Sequence, residues 1–274
     1  MQPLVYINEE YIFAAEARVS AFDAGFLFGA GVFETVLVRA GKPFYFSRHF
    51  QRLRTSCEEL GINFPHTEEK LREILSELIT RNNLAGIETR AKILITPGDT
   101  SAHISHRDGT LFISAMPYIR PSLHIPWKLL MPGVVQASAA APHKTTSYMG
   151  YRMALHAAHE KGYDDLILFD RLGHVSETSV ASLILFRGES LMLPASPDAL
   201  RGITRSVIVE IAKDRGMEVV EAPVSPHELG EGFSVCVCSA LLGPFPVGRI
   251  NENEIPLPDP LFLSSLRESW EERA

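Results

Sequence analysis

The chain has 274 residues, of which 33 are acidic and 26 basic, giving a formal net charge of −7 at pH 7. This balance argues against a general basic surface, so we expect neither nucleic acid nor a membrane as a partner. Hydrophobic residues make up 46% of the chain, enough for a sizeable core, and no apolar run approaches the ~18 residues that cross a bilayer. The start of the chain shows no signal-like basic segment and the cysteine count of 3 is odd, so we expect a cytoplasmic protein.

Strand and helix patterns alternate over residues 1–118 and predict a small α+β domain. In chain order they predict a hairpin over 4–13, a strand over 32–39, helices over 48–60 and 67–82, and strands over 89–96 and 109–116. Ser47 and Thr67 are the expected N-caps of the two helices. A turn signal with little periodicity then follows, so we place an interdomain linker at 119–124.

Residues 125–274 are expected to form a larger second domain of mixed α+β or α/β class. Its patterns predict strands over 125–131 and 134–139, a helix over 148–161, strands near 165 and 180 and over 189–193, a helix over 204–215, strands over 217–222 and 233–239, and helices near 226 and over 259–272. This domain would carry Lys144, Glu177 and the turn at Gly202-Ile203-Thr204.

Two of these residues suggest a chemistry. Lys144 comes just before the helix, and Glu177 comes two strands later, so both side chains could face one pocket. A lysine and a carboxylate in one pocket suit Schiff-base chemistry, because a carboxylate beside the ring nitrogen of pyridoxal 5'-phosphate (PLP) keeps that nitrogen protonated. From spacing alone, a solvated loop lysine and a surface glutamate are the more frequent case.

Several separated motifs occur in one order along nearly the whole chain. They are Asp23-Ala-Gly-Phe-Leu-Phe-Gly-Ala-Gly-Val-Phe-Glu-Thr35, His49-Phe-Gln-Arg-Leu53, Lys144-Thr-Thr-Ser-Tyr148, Asp164-Asp-Leu-Ile-Leu-Phe-Asp170, Gly173-His-Val-Ser-Glu177 and Leu200-Arg-Gly-Ile-Thr-Arg205. Together they resemble the motifs of class IV aminotransferases, the fold-type IV PLP enzymes. The resemblance implies a two-domain fold with a small α+β N-terminal domain and a larger pseudo-barrel C-terminal domain.

The resemblance also implies which residues bind the cofactor. Lys144 matches the lysine that forms the Schiff base, and Glu177 matches the carboxylate at the ring nitrogen. The remaining cofactor-binding residues would be Arg52, Ile203, Thr204 and Ser239 at the phosphate, and Tyr148 at the phenolic oxygen, although core packing explains a tyrosine there equally well. Two positions depart from the family pattern: Ser182 stands where most relatives have asparagine, and Ala30 interrupts the usual Gly-Asp-Gly.

Within the family, the motif Ser239-Ala-Leu-Leu-Gly-Pro-Phe-Pro-Val247 is similar to that of aminodeoxychorismate lyases. These enzymes release pyruvate from 4-amino-4-deoxychorismate to give 4-aminobenzoate for folate synthesis. Lys144 would be the catalytic residue, with Thr35 as an assisting group. The expected function is therefore a PLP-dependent lyase.

Two alternatives stay open. One is an aminotransferase for D-amino acids or branched-chain amino acids, which moves an amino group to a 2-oxo acid. Against it, branched-chain enzymes usually have glycine at the position of Thr35, and D-amino acid enzymes carry Arg-x-His in the loop whose first residues, 97–103, contain no arginine here. The other is an inactive relative that only dimerises or binds a partner.

The expected ligands are PLP and a small-molecule amino substrate, and the resemblance implies a homodimer. We expect no metal, because the histidines show no ligand spacing and Cys236-x-Cys238 lacks nearby partners. The cysteines are expected to be buried thiols.

Overall fold

A computed structural model describes residues 2–99, 109–229 and 232–274 of the chain. These residues form two compact units. The first contains the described residues up to Ile119 and the segment His143–Tyr148; the second contains Arg120–Pro142 and the described part of Met149–Ala274. Each unit has its own buried apolar core.

The first unit is built on an antiparallel sheet of six strands. These are β1 (Leu4–Ile7), β2 (Glu10–Phe13), β3 (Val32–Arg39), β4 (Lys42–Pro43), β5 (Thr89–Ile95) and β6 (Leu111–Pro117). Their order in the sheet is β2-β1-β6-β5-β3-β4, so the long strands β3 and β5 lie side by side. The hairpin predicted over 4–13 is confirmed as β1 and β2, with Asn8 and Glu9 at positive φ in its turn.

Three helices complete the first unit: α1 (Ala24–Phe28), α2 (Phe46–Glu59) and α3 (Glu68–Arg81). Helices α2 and α3 contact the sheet through one apolar cluster. Its members include Phe50, Leu53, Leu71, Leu75 and Leu78 from the helices and Val36, Ala91, Ile93 and Ile113 from the strands. Alternate residues of β3 face this cluster, so Phe33 and Thr35 lie on the opposite face of the sheet.

One of the two expected helix caps is correct. The Thr67 hydroxyl accepts a hydrogen bond from the backbone N–H of Lys70 at 3.2 Å, as predicted for α3. The prediction for α2 is wrong: Tyr45, with a φ of 50°, is the N-cap residue and makes no side-chain cap. Ser47 lies inside the first turn and donates to Glu68 at 2.7 Å instead.

The segment His143–Tyr148 packs in the first unit, which corrects its expected place in the C-terminal domain. Phe33 donates its backbone N–H to the carbonyl of Lys144 at 2.8 Å, and Thr146 donates its N–H to the carbonyl of Gly31 at 2.8 Å. An isolated bridge joins Val32 to Thr145. The segment therefore pairs with the first residues of β3, a long-range pairing that local sequence patterns do not reveal.

The second unit contains a sheet of nine strands. These are β7 (Trp127–Leu130), β8 (Asp165–Phe169), β9 (Val175–Thr178), β10 (Ser182–Arg187), β11 (Ser190–Pro194), β12 (Glu218–Ala222), β13 (Ser234–Ser239), β14 (Gly243–Ile250) and β15 (Asn253–Glu254). The main path runs β12-β11-β10-β13-β14-β7-β8-β9, and β9 pairs back to β10. This pairing closes the strands into a barrel, as the predicted pseudo-barrel requires.

Two predictions for these strands need correction. Residues 134–139 form no strand and contribute only the single bridge between Val135 and Phe169. The strand expected near 180 is two strands, β9 and β10, so Glu177 lies inside β9 rather than at the start of a longer strand.

The helices of the second unit are α4 (Met149–Glu160), α5 (Ile203–Asp214) and α6 (Pro260–Glu272), with a short 3-10 helix at Pro226–Glu228. Helix α4 contacts β8, α5 contacts α6 and the strands β12 and β13, and α6 contacts β14. The thiols of Cys57, Cys236 and Cys238 are free and buried, as predicted. Within the described ranges, no helix has the length and apolar character needed to cross a membrane.

Candidate active site

Lys144 lies beside two aromatic rings of the first unit. Its Nζ is 4.8 Å from the ring centroid of Phe33 and 5.8 Å from that of Tyr148. The two rings contact each other edge to face, with centroids 5.6 Å apart. The expected neighbours Lys144 and Tyr148 are thus brought together, and the rings give the amine an apolar wall.

The loop that contains Gly29 and Gly31 contacts the segment that follows Lys144. The Thr146 hydroxyl donates to the carbonyl of Gly29 at 2.6 Å, and the Ser147 hydroxyl donates to the same oxygen at 3.1 Å. A Cβ on Gly29 would lie 2.8 Å from the Ser147 Oγ, and Gly29 has a φ of 66°. A Cβ on Gly31 would lie 2.9 Å from the carbonyl oxygen of Ile95. Both glycines are therefore needed for the close approach that fixes the backbone of Lys144.

Arg52 forms an ion pair with a buried carboxylate in the same unit. Its Nε and Nη2 donate to the two oxygens of Glu34 at 2.6 and 2.7 Å. The Nδ1 of His49, one helical turn before Arg52 on α2, lies 2.6 Å from Glu34 Oε2. Burial alone would raise the pKa of Glu34, but Arg52 and His49 outweigh it and lower that pKa to about 2. Burial lowers the pKa of His49, and its contact with the Glu34 carboxylate opposes that shift.

Thr35 lies on the sheet face that also carries Phe33. It pairs with Lys92 across β3 and β5, so the side chains of Thr35 and Lys92 are neighbours. Lys92 is half-buried and its Nζ lies 4.3 Å from the Phe33 ring centroid. Burial and then the charge of Arg90 lower the pKa of Lys92. Lys92 forms no ion pair with any residue that the structure describes.

Glu177 is a buried carboxylate of the second unit. It is 6% exposed and sits in β9, where it pairs with Ser182 of β10. Its Oε2 accepts the backbone N–H of Leu200 at 3.2 Å, and its Oε1 accepts the hydroxyl of Tyr151 at 3.3 Å. These two donors aim the carboxylate and stabilise its charge.

The turn that begins α5 presents donors suited to an anion. Gly202 is the N-cap residue and makes no side-chain cap, so the first N–H groups of the 12-residue helix have no partner within the helix. Thr204 is 3% exposed, and its Oγ1 has no hydrogen-bond partner among the described residues. A buried hydroxyl without a partner is costly, and a phosphate group would satisfy it together with the helix N–H groups. Ile203 is buried in the same turn. The residues of this turn therefore fit the phosphate that the resemblance implies.

Ser239 ends β13 and is half-buried. Its Oγ accepts the backbone N–H of Leu242 at 3.4 Å, which leaves its own proton to donate. Within the described residues, no group of three or more histidine, cysteine, aspartate or glutamate side chains is arranged to hold a metal ion.

Four polar residues near the expected site residues were not themselves predicted as site residues: Glu34, His49, Lys92 and Tyr151. Sequence spacing could have indicated two of them, His49 and Lys92. His49 lies three residues before Arg52 on a predicted helix, so their side chains share one face. Lys92 lies two residues after Arg90 on a predicted strand, so these two side chains also share one face. Glu34 gains its role only from contacts with a helix that follows in the chain, and Tyr151 only from its approach to Glu177, so neither is visible locally.

Comparison with known proteins identifies the family. The profile of the family "Amino-transferase class IV" matches residues 31–250. A candidate branched-chain-amino-acid aminotransferase of Rickettsia felis is 30% identical over 85% of this chain and 81% of its own. A D-alanine aminotransferase of Listeria monocytogenes is 26% identical over 90% of this chain and 87% of its own.

Solved structures agree on the fold. A branched-chain aminotransferase of Thermoproteus uzoniensis superposes with a TM-score of 0.90 at 21% identity, over 99% of this chain and 94% of its own. A candidate 4-amino-4-deoxychorismate lyase of Legionella pneumophila gives a TM-score of 0.86 at 24% identity, over 95% and 97%. These likenesses confirm the predicted fold type. Because the family profile covers most of the sequence, the chain belongs to the class IV aminotransferases, a family of PLP-dependent enzymes.

Proposed function

We propose that this enzyme is a 4-amino-4-deoxychorismate lyase, which uses PLP to release pyruvate and form 4-aminobenzoate. Lys144 binds the cofactor covalently and Glu177 faces its ring nitrogen. Arg52, Ile203, Thr204 and Ser239 are assigned to its phosphate, and Tyr148 to its phenolic oxygen.

PLP, when bound, supplies an electron sink for the carbon that bears the amine. The amine of Lys144 would take the proton from that carbon. The carbon–oxygen bond to the enolpyruvyl group then breaks, and Lys144 returns a proton to the leaving group. The loss of this group makes the six-membered ring aromatic, so no amino acceptor is required. We assign Thr35 to assist this proton return, since its hydroxyl shares a sheet face with Phe33.

The position of Lys92 carries this proposal. The amines of Lys92 and Lys144 lie 4.3 and 4.8 Å from the centroid of one ring, that of Phe33. A half-buried cation beside the reactive lysine suits a substrate with a second negative charge. Aminodeoxychorismate has two carboxylates, one on its ring and one on the group that leaves. A branched-chain amino acid has only an apolar side chain to offer, and would leave the Lys92 charge without a partner.

Transamination is the second candidate, and the names of the sequence relatives favour it. The Rickettsia felis and Listeria monocytogenes proteins are named as aminotransferases, for branched-chain amino acids and D-alanine respectively. For such a reaction Lys92 would bind the side-chain carboxylate of a glutamate donor.

One activity assay separates the two functions. The purified protein, loaded with PLP, is given 4-amino-4-deoxychorismate with no 2-oxo acid present. The lyase releases one pyruvate for each 4-aminobenzoate formed. In a parallel assay, L-glutamate or D-alanine is supplied with several 2-oxo acids. Amino transfer in that assay without pyruvate release from aminodeoxychorismate would establish the transaminase instead.

We also propose that the enzyme is a homodimer in the cytoplasm. The first unit exposes a cluster of large aromatic side chains around α1: Phe22 is 56% exposed, Phe26 73% and Phe28 70%. An apolar patch of this kind is unusual on a monomer and marks an interaction surface. Light scattering should give twice the mass of 30.4 kDa, and Phe26→Asp should shift the mass toward one copy if this patch is the interface.

A further inference from the structure

We propose that Gly202 is a positioning residue, because its missing side chain lets the turn before α5 lie close to Ser182 at the start of β10. The proposal rests on the proposed role of this turn in holding the cofactor phosphate. It concerns the spacing between two groups of the second unit, the Glu177 carboxylate and the donors at the start of α5.

Gly202 is required at this turn for space and not for its backbone conformation. Its φ of −67° and ψ of 126° are open to any residue. A Cβ on Gly202, however, would lie 2.6 Å from the Oγ of Ser182, well inside van der Waals contact. The other nearby atoms are the Cβ of Arg205 at 3.4 Å and the Cβ of Ser182 at 3.6 Å, both at ordinary distances. The Ser182 hydroxyl oxygen is therefore the one nearby atom that must move if a side chain is placed at Gly202.

Ser182 is held firmly in its place. It begins β10 and pairs with Cys238 of β13 on one side and with Glu177 of β9 on the other. It is 8% exposed, and its hydroxyl makes no hydrogen bond to the part of the chain that the structure describes. Removal of this hydroxyl therefore breaks no hydrogen bond to a described residue and makes room for a Cβ at Gly202.

The turn is tied to Glu177 as well. The backbone N–H of Leu200 donates to Glu177 Oε2, and two residues later Gly202 caps α5. The five residues 200–204 thus run from the ring-nitrogen carboxylate to the proposed phosphate donors. A side chain at Gly202 would push the turn away from β10 and displace the hydroxyl and N–H groups of Thr204 relative to Glu177.

The test compares Gly202→Ala, Ser182→Ala and the double variant with the wild type. Each protein is freed of cofactor and titrated with PLP, and separately with pyridoxal, which lacks the phosphate. Binding is followed by the visible absorbance of the cofactor. We expect Gly202→Ala to weaken PLP by about tenfold or more, because overpacking of a close contact has a cost of this size. Pyridoxal binding should change by less than about twofold, since Lys144 and Glu177 are untouched.

Ser182→Ala alone should bind PLP within about twofold of the wild type, and the double variant should recover most of the lost affinity, because it removes the atom that the new Cβ would meet. A double variant no better than Gly202→Ala would overturn the proposal, as would a Gly202→Ala protein that binds PLP normally or an equal loss for pyridoxal. Failure of the proposed function would give a different result. The wild type and Lys144→Ala would then show the same absorbance when PLP is added.

Discussion

Phe33 contacts Lys144 through both its backbone and its ring. Its N–H donates to the Lys144 carbonyl at 2.8 Å, and its ring centroid lies 4.8 Å from the Lys144 Nζ. The strand β3 therefore fixes both ends of the lysine, the main chain by a sheet-like hydrogen bond and the amine by an aromatic surface. The next residues of β3, Glu34 and Thr35, face opposite sides of the sheet. Glu34 contacts Arg52, and Thr35 is the neighbour of Lys92.

Lys144→Ala should abolish the visible absorbance of the PLP-loaded protein, because it removes the amine that is proposed to form the covalent link. Activity should fall by at least about a thousandfold, in line with the loss of both a nucleophile and an acid–base group. The matched control is Lys161→Ala, which removes an exposed lysine just after α4 and should change neither quantity. A Lys144→Ala protein that keeps its colour would disprove the assignment.

Glu34 should make folding of the protein sensitive to acid. Its pKa is lowered from 4.5 to about 2 in the folded protein, so its charge stabilises the fold above pH 4.5. That contribution, roughly 3 kcal/mol from the size of the shift, is lost as the pH falls from about 4.5 toward 2. Glu34→Gln should destabilise the protein at pH 7 and flatten its pH dependence over this window.

An exposed ion pair provides the control for Glu34. Glu77 accepts from the Nε of Arg81 at 2.6 Å, the same distance as in the buried pair of Glu34 with Arg52, but both of its side chains are 47% exposed. Glu77→Gln should cost less than about 1 kcal/mol, because water screens this pair. Urea unfolding of both variants between pH 3 and pH 7 tests the difference, and equal losses would show that burial adds nothing.

The sequence predicts most of the elements here because their patterns are local. Thr67 begins α3 as a hydroxyl cap should, and the period-two alternation of residues 32–39 gives β3. The elements that were not predicted depend on pairing between distant segments. Pro244 and Pro246 argue against a strand, yet they lie in β14 opposite Cys238 and Cys236, before the pairing with β7 begins at Val247. Proline is tolerated in such a stretch because only one neighbouring strand requires hydrogen bonds from it.

The same distinction holds for the candidate site. Family motifs mark Lys144, Glu177 and Thr204 in the sequence, but the partners that aim or charge the site come from distant segments. Glu34 receives Arg52 from 18 residues away, and Glu177 receives Tyr151 from 26 residues away. Such contacts depend on how a helix is rotated against a strand, which a single sequence does not fix.

Lys92 should determine both the affinity for the substrate and its pH dependence. Lys92→Met should raise KM for aminodeoxychorismate by about ten- to a hundredfold, the value of a charge-assisted hydrogen bond, with a smaller change in kcat. Burial and Arg90 lower the Lys92 pKa from its ordinary value of 10.5, so its charge is lost at a lower pH than that of an exposed lysine. KM should therefore rise on the alkaline side below pH 10.5.

Lys92→Arg separates charge from shape, because arginine stays charged over this range. It should move the alkaline rise of KM to higher pH while keeping part of the affinity. Lys42→Met, on the exposed edge strand β4, should leave the KM profile unchanged. If Lys92→Met and Lys42→Met behave alike, Lys92 does not contact the substrate and the case for a substrate with a second negative charge fails.

Thr204 should affect stability and cofactor binding in opposite directions. Its Oγ1 is buried without a partner among the described residues, so Thr204→Val, which keeps the shape and removes the hydroxyl, should stabilise the cofactor-free protein by about 1 kcal/mol or more. The same change should weaken PLP by roughly tenfold, since the phosphate loses a donor. Thr80→Val is the contrast: its hydroxyl already donates to the carbonyl of Ser76 at 2.9 Å, so its loss should not stabilise the protein and should leave PLP binding intact. Thermal unfolding without cofactor and a PLP titration measure the two effects, and a Thr204→Val protein that loses stability while binding PLP as tightly as the wild type would show that this hydroxyl serves the fold and not the phosphate.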